Sequence, residues 1–348
     1  MNRVQEHDVN EFVNSFKLSD QLANKTFLVT GATGLIGSML IHCLIALKQN
    51  INILLLVRNK YKAYQMFSQE EQRALKIIEC NLVEFDYSTL TGIDYIIHCA
   101  APTSSKYFIE KPIETVDIIL KSTQKLLNYA KSNSIKGFVF LSSLEVYGSI
   151  GKMDSVIEDI QGFWSITDVR SCYPIAKRMA EHLCFLFSKE YGVPVKIARL
   201  TQTTGAGIAL DDNRIIAQFA RKAVKSEDII LHTLGKSARP YCYTTDAISA
   251  IIYILLKGEN GEPYNVANPD TYVSARDLAD YVKTYFNPDI NVRIEIADNM
   301  GYAPDSYLPL STEKLEKLGW KPKYGLYEIF KNLIDCMSTD KGYNRYHF

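Results

Sequence analysis

The stretch TGATGLIGS, residues 30–38, decides the fold of this chain. Its three glycines, Gly31, Gly34 and Gly37, stand three residues apart, between the apolar run KTFLVT and a helix-like run that begins at Leu35. Glycines in a strand-to-helix turn let the backbone approach a pyrophosphate and place a helix N-terminus against it. The stretch therefore predicts a phosphate cradle, with a glycine-rich turn that holds no ligand as the alternative.

Strand-like and helix-like runs alternate after this motif. The apolar strands that follow the first are predicted at 51–57, 74–80, 93–100, 136–143 and 193–200, with helices at 35–48, 114–133 and 174–191. Strands that are apolar throughout are typical of a sheet covered on both faces, and their alternation with helices indicates a parallel, doubly wound sheet. We therefore predict a Rossmann-type α/β fold with a smaller C-terminal α/β region that binds substrate.

The alternation weakens after residue 200, and this change sets the predicted domain organisation. We expect an N-terminal extension at 1–24, a dinucleotide-binding domain at 25–200, and a mainly substrate-binding region at 201–348. Within that region, residues 240–268 are expected to pack back on the dinucleotide-binding domain. The helices predicted in this part of the chain cover 214–225, 244–258, 274–286, 310–320 and 325–337.

Composition limits the classes of partner. The 348 residues contain 39 Lys and Arg against 39 Asp and Glu, so no basic excess indicates a nucleic acid or a membrane surface. No apolar run reaches the roughly 20 residues that span a bilayer. The seven cysteines form no CxxC pair, which favours reduced thiols in the cytoplasm. The six histidines show no zinc-ligand spacing, so we predict no metal site.

A second motif, YxxxK, carries the candidate chemistry. Tyr173 and Lys177 are one helical turn apart, which places both side chains on one face of a helix. A free tyrosine has a pKa near 10, and a neighbouring ammonium together with a positively charged nicotinamide favours the phenolate. Ser143 ends a predicted strand at the sheet edge where open α/β folds bind ligands. Its hydroxyl can bond a substrate hydroxyl, or it can merely cap a turn.

These two motifs together resemble the extended short-chain dehydrogenase/reductases, and among them the NAD(P)-dependent nucleotide-sugar epimerases and dehydratases. The 4,6-dehydratases of that group carry Thr-Asp-Glu where this chain has Ser143, Leu144 and Glu145, and leucine cannot donate a proton. Ser-x-Glu is similar to UDP-glucuronate decarboxylases, whose segment reads much like STSEVYG. RSCYPIAKRMAE, from Arg170, resembles their RACYDEGKRVAE, and GKSARPYCYTTDAISAI resembles their segment with a substrate-binding arginine, here Arg239.

The resemblance implies an enzyme that oxidises a nucleotide sugar transiently at C4. It implies Ser143, Glu145, Tyr173 and Lys177 as the catalytic residues. The cofactor contacts that it implies are Gly31, Thr33, Gly34, Leu35, Ile36, Gly37, Arg58, Asn81, Leu82, Ala100, Ala101, Tyr173 and Lys177. The substrate contacts are Pro102, Ser143, Glu145, Gln202, Arg214 and Arg239, with recognition of the base expected around 299–307.

The cofactor is NAD or NADP. NAD-specific folds usually place an acid after the second strand, where this chain has Arg58, and a guanidinium can bond a 2′-phosphate, so NADP is favoured. A 4-epimerase, an NADPH-dependent reductase of a keto sugar nucleotide and a dinucleotide-binding sensor are the alternatives, although a sensor has no use for Tyr173 with Lys177. The resemblance also implies a homodimer in which the Tyr173 helix takes part.

Overall fold

The computed structural model describes residues 1–297 and 305–339. Residues 299–304, where recognition of the base was expected to begin, lie outside the described part. The strands are β1 (Thr26–Thr30), β2 (Asn52–Val57), β3 (Leu75–Glu79), β4 (Tyr95–His98), β5 (Gly137–Ser143), β6 (Val195–Leu200), β7 (Gln202–Thr204), β8 (Ile229–Leu231), β9 (Ala238–Tyr243), β10 (Pro263–Val266), β11 (Asn268–Ser274) and β12 (Val292–Ile294). The helices are α1 (Arg3–Ser15), α2 (Leu35–Ala46), α3 (Lys60–Met66), α4 (Ser105–Glu110), α5 (Pro112–Ser132), α6 (Cys172–Tyr191), α7 (Ile215–Lys225), α8 (Thr244–Lys257), α9 (Ala275–Tyr285), α10 (Glu313–Glu316) and α11 (Leu326–Thr339).

Seven strands form the central sheet, in the order β3-β2-β1-β4-β5-β6-β10. Each neighbouring pair runs parallel. The strand order reverses between β1 and β4, and this switch point opens a crevice at the carboxyl ends of the strands. The predicted fold class is confirmed.

Helices cover both faces of this sheet, which explains why its strands are apolar throughout. On one face, Leu40 and Leu44 of α2 and Ile251 of α8 join the buried core. On the other face, Leu126 of α5 and Ala180 of α6 belong to a second core. The sheet is therefore held between two apolar layers, and polar side chains gather at its carboxyl edge.

The chain after residue 200 builds smaller sheets and also returns to the large one. Strands β11, β9 and β7 form a three-stranded sheet, and β12 pairs with β8. Helices α7, α9 and α11 share a separate apolar core that includes Ile216, Leu278 and Phe330. Strand β10 joins the central sheet, and α8 packs against β5 and β6. The predicted division near residue 200 stays a prediction.

The helix predicted over 310–320 is wrong in its length. Only α10, Glu313–Glu316, is helical there. Gly319 takes a φ of +95°, a conformation that ends a right-handed helix at little cost only for glycine. Trp320 is buried, and its indole Nε1 donates to Ser249 Oγ at 2.8 Å. Tertiary packing of this tryptophan against α8 replaces the last turns of the predicted helix.

The first 24 residues form a helix and a turn that pack against the rest of the chain. Asn2 caps α1, where its side chain accepts from the Gln5 backbone and Gln5 bonds back to Asn2. Val9 and Phe12 are buried in the same core as β1 and α2. Asp8 is also buried, and its Oδ2 accepts from a tyrosine of β9 at 2.6 Å. The segment predicted as an extension thus contributes to the core.

Candidate active site

The glycine turn has the geometry of a phosphate cradle. Gly31 has a φ of +71°, and a Cβ there would stand 2.7 Å from the Ala100 backbone nitrogen. A Cβ on Gly37 would stand 2.3 Å from the Gly31 carbonyl oxygen. Gly34, exposed at the N-cap of α2, donates its N–H to that same oxygen at 3.1 Å. The first N–H groups of α2 lack intrahelical acceptors, so this turn fits the pyrophosphate of a dinucleotide.

An uncharged network of buried hydrogen bonds supports the backbone that packs against the glycine turn. The Ala100 N–H donates to Thr30 Oγ1 at 3.3 Å, and Thr30 Oγ1 lies 2.7 Å from His98 Nδ1. On the other side of the ring, His98 Nε2 lies 3.2 Å from Ser122 Oγ, which donates to the Ile118 carbonyl. Because the Ser122 hydroxyl gives its proton to the Ile118 carbonyl, its oxygen can only accept from His98. The imidazole proton is therefore on Nε2. Burial lowers the pKa of His98 to about 3, so the network stays uncharged. The sequence analysis did not single out these side chains.

The remaining cradle residues line the same edge of the sheet. Thr33, Leu35 and Ile36 are half-buried at the start of α2, and Leu35 packs against the core of the C-terminal region. Ala100 and Ala101 are half-buried directly after β4. The Ala100 backbone lies against Gly31, and the contacts of Ala100 and Ala101 with a cofactor stay predictions.

Three further predicted cofactor residues follow β2 and β3. Arg58 is exposed directly after β2. The pKa of Tyr107 is raised mainly by its hydrogen bond to Glu114, and the charge of Arg58 opposes that shift, which places the guanidinium near α4. Asn81 is exposed with its Oδ1 accepting from a backbone N–H two residues on, and Leu82 is buried. The Arg58 side chain is thus open to solvent at this edge.

The predicted catalytic residues converge at the ends of β5 and α6. Tyr173 and Lys177 are buried on one face of α6, with Lys177 Nζ 5.9 Å from the Tyr173 ring centroid. Lys177 Nζ donates to the Leu141 carbonyl at 2.6 Å, which ties α6 to β5. Ser143 Oγ accepts the Glu145 N–H at 3.2 Å, and its hydroxyl lies near enough to the Tyr173 phenol to lower the pKa of that phenol. Phe108 of α4 stacks on Tyr173 at 4.3 Å between ring centroids, a contact that the sequence analysis missed.

Burial dominates the ionisation of both groups on α6. It raises the pKa of Tyr173 well above its ordinary value, and the charge of Glu145 raises it further, while the Ser143 hydrogen bond and Arg170 lower it. Burial lowers the pKa of Lys177 to about 8. In the protein alone the phenol is therefore neutral at physiological pH, and the chemistry requires further positive charge beside it.

The Glu145 carboxylate, just after β5, is paired with an arginine. Its carboxylate accepts two hydrogen bonds from the guanidinium of Arg170, at 3.0 and 3.1 Å. The Trp164 indole donates to the Glu145 carbonyl at 2.8 Å. From the sequence, Arg170 was noted only as a match to relatives, because a separation of 25 positions gives no local signal of the pair.

The predicted substrate residues spread over the smaller sheet and its loops. Gln202 is half-buried and faces β9 across the β7–β9 pairing, and half-buried Arg239 donates to Ser306 Oγ at 3.1 Å. Arg214 is held by the Asp212 carboxylate at 2.8 Å. Its remaining nitrogen Nη1 donates to the carbonyl of residue 203, so Arg214 already has protein partners. Pro102 is half-buried in the loop after β4.

Comparison with known proteins identifies the family. Residues 27–267 match the NAD dependent epimerase/dehydratase family. The chain belongs to this family. The match covers the cradle, the Ser143 strand, Tyr173 and Lys177, and it ends just after β10. The predicted family membership is confirmed.

Individual members of the family give a finer comparison. The chain is 29% identical over 314 residues to UDP-glucuronic acid decarboxylase 6 of Arabidopsis thaliana, an alignment that covers 88% of this chain and 87% of that protein. Its fold is similar to UDP-glucose 4-epimerase of Thermotoga maritima, with a TM-score of 0.78, 21% identity and coverage of 90% and 99%. It is also similar to UDP-glucuronic acid 4-epimerase of Bacillus cereus in complex with NAD, with a TM-score of 0.75, 22% identity and coverage of 92% and 99%.

Across residues 1–297 and 305–339, no group of three or more His, Cys, Asp or Glu side chains is arranged to hold a metal ion. Within the same ranges, the helices are too short or too polar to cross a bilayer.

Proposed function

We propose that this family member is a UDP-glucuronate decarboxylase-like enzyme, which oxidises its sugar transiently at C4 and releases the C5 carboxylate as CO2. The observation that carries the proposal is the convergence of Ser143, Tyr173 and Lys177 beside the glycine cradle. The similarity to the Arabidopsis decarboxylase supports the choice of sugar. Leu144 supports it further, since a buried leucine offers no acid for dehydration.

The chain's own residues supply positioning and proton transfer. A dinucleotide held at the turn of Gly31, Gly34 and Gly37 would supply the hydride acceptor for the oxidation and the hydride donor for the later reduction. Tyr173 takes the proton of the 4-hydroxyl, and Ser143 holds the 4-oxygen in line with the phenol. Lys177 adds positive charge that favours the phenolate once a positively charged ring lies nearby. A 4-keto sugar with a C5 carboxylate is a β-keto acid, so CO2 leaves without a further acid from the protein.

Glu145 and Arg239 complete the proposed site. Glu145 orients the sugar at the carboxyl edge of β5 or manages the proton at C5. Arg239 binds the acidic part of the substrate, since a guanidinium fork matches a carboxylate or a diphosphate. Among residues 1–297 and 305–339, the Arg239 guanidinium donates to Ser306 Oγ through one nitrogen, which leaves other donors of the fork for such a ligand.

We further propose a preference for NADP over NAD. The family is NAD-dependent by description, and NAD is bound in the Bacillus cereus neighbour. In this chain, exposed Arg58 follows β2 where an acid would repel a 2′-phosphate. The nearby acid Glu79 accepts a hydrogen bond from the Lys60 backbone at 2.8 Å. These features support a site that tolerates the 2′-phosphate of NADP.

The proposed assembly is a cytoplasmic homodimer. Met179 and Leu186 of α6 are seven residues apart and exposed by 44% and 39%, so they form an apolar stripe on one helix face. Such a stripe supports pairing with a second copy through α6. Cys43, Cys184 and Cys242 are buried thiols outside any disulfide, which supports a reducing compartment.

Product analysis by NMR tests the proposed reaction. The protein is incubated separately with UDP-glucuronate, UDP-glucose and their CDP and dTDP analogues in the presence of NAD or NADP. Release of CO2 with formation of a nucleotide pentose supports the proposal. Formation of a C4 epimer identifies a 4-epimerase, and net consumption of NADPH identifies a reductase. Recovery of every sugar unchanged by a dinucleotide-bound protein contradicts an enzymatic role.

A further inference from the structure

Arg170 and Glu145 form a bidentate ion pair next to the carboxyl end of β5. The two guanidinium nitrogens donate separately to the two carboxylate oxygens, at 3.0 and 3.1 Å. Their side chains are only 20% and 25% exposed. A bidentate contact of this kind fixes both the position and the plane of the carboxylate. Glu145 is therefore presented as half of an ion pair, with its charge compensated.

Both partners stand next to the candidate catalytic phenol. Glu145 lies two residues after Ser143, in the 3-10 turn Leu144–Tyr147, and the Trp164 indole fixes its carbonyl. Arg170 lies three residues before Tyr173, in the turn that leads into α6. The two charges act on Tyr173 in opposite directions, after the larger effect of its burial. A ligand at the phenol therefore meets both charges.

We infer that Arg170 is a positioning and specificity residue, which neutralises Glu145 so that a sugar bearing a carboxylate can lie beside Tyr173. This inference rests on the proposed function, because only an acidic sugar makes the compensation necessary. An uncompensated Glu145 repels the sugar carboxylate, and this repulsion is strong in a half-buried site where solvent screening is weak. A neutral sugar of the same nucleotide experiences no such repulsion.

The test compares an acidic and a neutral ligand that share the UDP moiety. Affinities of the full-length, dinucleotide-bound protein for UDP-glucuronate and UDP-glucose are measured by isothermal titration calorimetry. For Arg170→Met we expect binding of UDP-glucuronate to weaken about 10- to 100-fold, and binding of UDP-glucose to change less than about threefold. The double variant Glu145→Gln with Arg170→Met should recover most of the wild-type ratio of affinity for UDP-glucuronate to affinity for UDP-glucose.

Two other variants separate charge from geometry and from general effects on the fold. Arg170→Lys keeps the charge but not the fork, so it should retain the preference for the acidic ligand and lose only part of the affinity. Arg276→Met removes an arginine from an exposed ion pair with Asp280 on α9 and should leave both affinities unchanged. Thermal unfolding of each variant checks that it is folded before titration.

The outcomes distinguish this inference from the proposed function. If the wild-type protein binds UDP-glucuronate and Arg170→Met loses affinity for both ligands by the same factor, the inference alone is overturned. Arg170 then only supports the fold. The inference is also overturned if the double variant does not recover the ratio of the two affinities. A wild-type protein that binds dinucleotide but not UDP-glucuronate overturns the proposed function, and the inference with it.

Discussion

Replacement of Asp8 by asparagine should stabilise the protein, and more so at higher pH. Asp8 is 1% exposed, its Oδ2 accepts from the Tyr243 hydroxyl at 2.6 Å, and its Oδ1 has no hydrogen-bond partner among the described residues. Burial raises the pKa of this carboxyl to about 6, against the opposing effects of the Tyr243 hydrogen bond and the charge of His7. Asparagine keeps an oxygen for Tyr243 and removes the buried charge.

The magnitude follows from linkage between protonation and folding. The folded chain holds the Asp8 proton more tightly than the unfolded chain, whose pKa is about 3.9. Stability contributed by the neutral carboxyl is therefore fully present below about pH 4 and is lost as the pH rises to about 6. At about 1.4 kcal/mol per pH unit, the loss reaches about 1.5 kcal/mol at pH 5 and about 3 kcal/mol at pH 8. Asp8→Asn should gain about these amounts.

Urea unfolding followed by circular dichroism at pH 5 and pH 8 measures both values. The control is Glu11→Gln, which removes one negative charge from an exposed position of the same helix and should change stability by less than about 0.5 kcal/mol. Equal stabilisation of Asp8→Asn at the two pH values, or destabilisation at both, refutes the reasoning. Either result would show that the buried carboxylate is compensated by contacts other than the Tyr243 hydroxyl.

Two further predictions concern the dinucleotide. Gly37→Ala places a methyl group 2.3 Å from the Gly31 carbonyl oxygen, so it should cost about 1–3 kcal/mol of stability and weaken dinucleotide binding in a fluorescence titration, whereas Gly151→Ala, with open space around its Cβ, should do neither. Unaltered binding by Gly37→Ala would contradict the cradle geometry. Arg58→Glu should shift the ratio of NADPH to NADH affinity at least about 10-fold toward NADH, while Lys62→Glu on the exposed surface of α3 leaves it unchanged. An unchanged ratio in Arg58→Glu would remove the basis for NADP preference.

Local patterns made much of this molecule predictable. The cradle is readable because Gly31, Gly34 and Gly37 each meet a constraint set by neighbours within one turn and one strand. Tyr173 and Lys177 are readable because four residues of helix always bring two side chains to one face. The parallel sheet follows from long apolar runs that alternate with helices.

Contacts between distant segments account for what the sequence did not show. The Arg170–Glu145 pair joins two short turns that are distant in sequence, and the Phe108–Tyr173 stack joins α4 to α6. The place of α1 in the core depends on the tyrosine of β9 that bonds Asp8, 235 residues away in sequence. The short α10 depends on Trp320 reaching α8. Spacing within the chain carries no signal for these contacts, because each one is set by the finished fold.

In the proposed reaction, Tyr173, placed by Ser143 and Lys177, starts a C4 oxidation that ends in decarboxylation. UDP-glucuronate labelled with ¹³C at C6 tests it in one measurement, by NMR detection of labelled CO2 from the dinucleotide-bound wild-type protein and from Tyr173→Phe. We expect one labelled CO2 per UDP-pentose without net consumption of dinucleotide, and a rate at least about 100-fold lower in Tyr173→Phe with dinucleotide binding retained. Full activity in Tyr173→Phe, or unchanged UDP-glucuronate with the dinucleotide-bound wild-type protein, would contradict it.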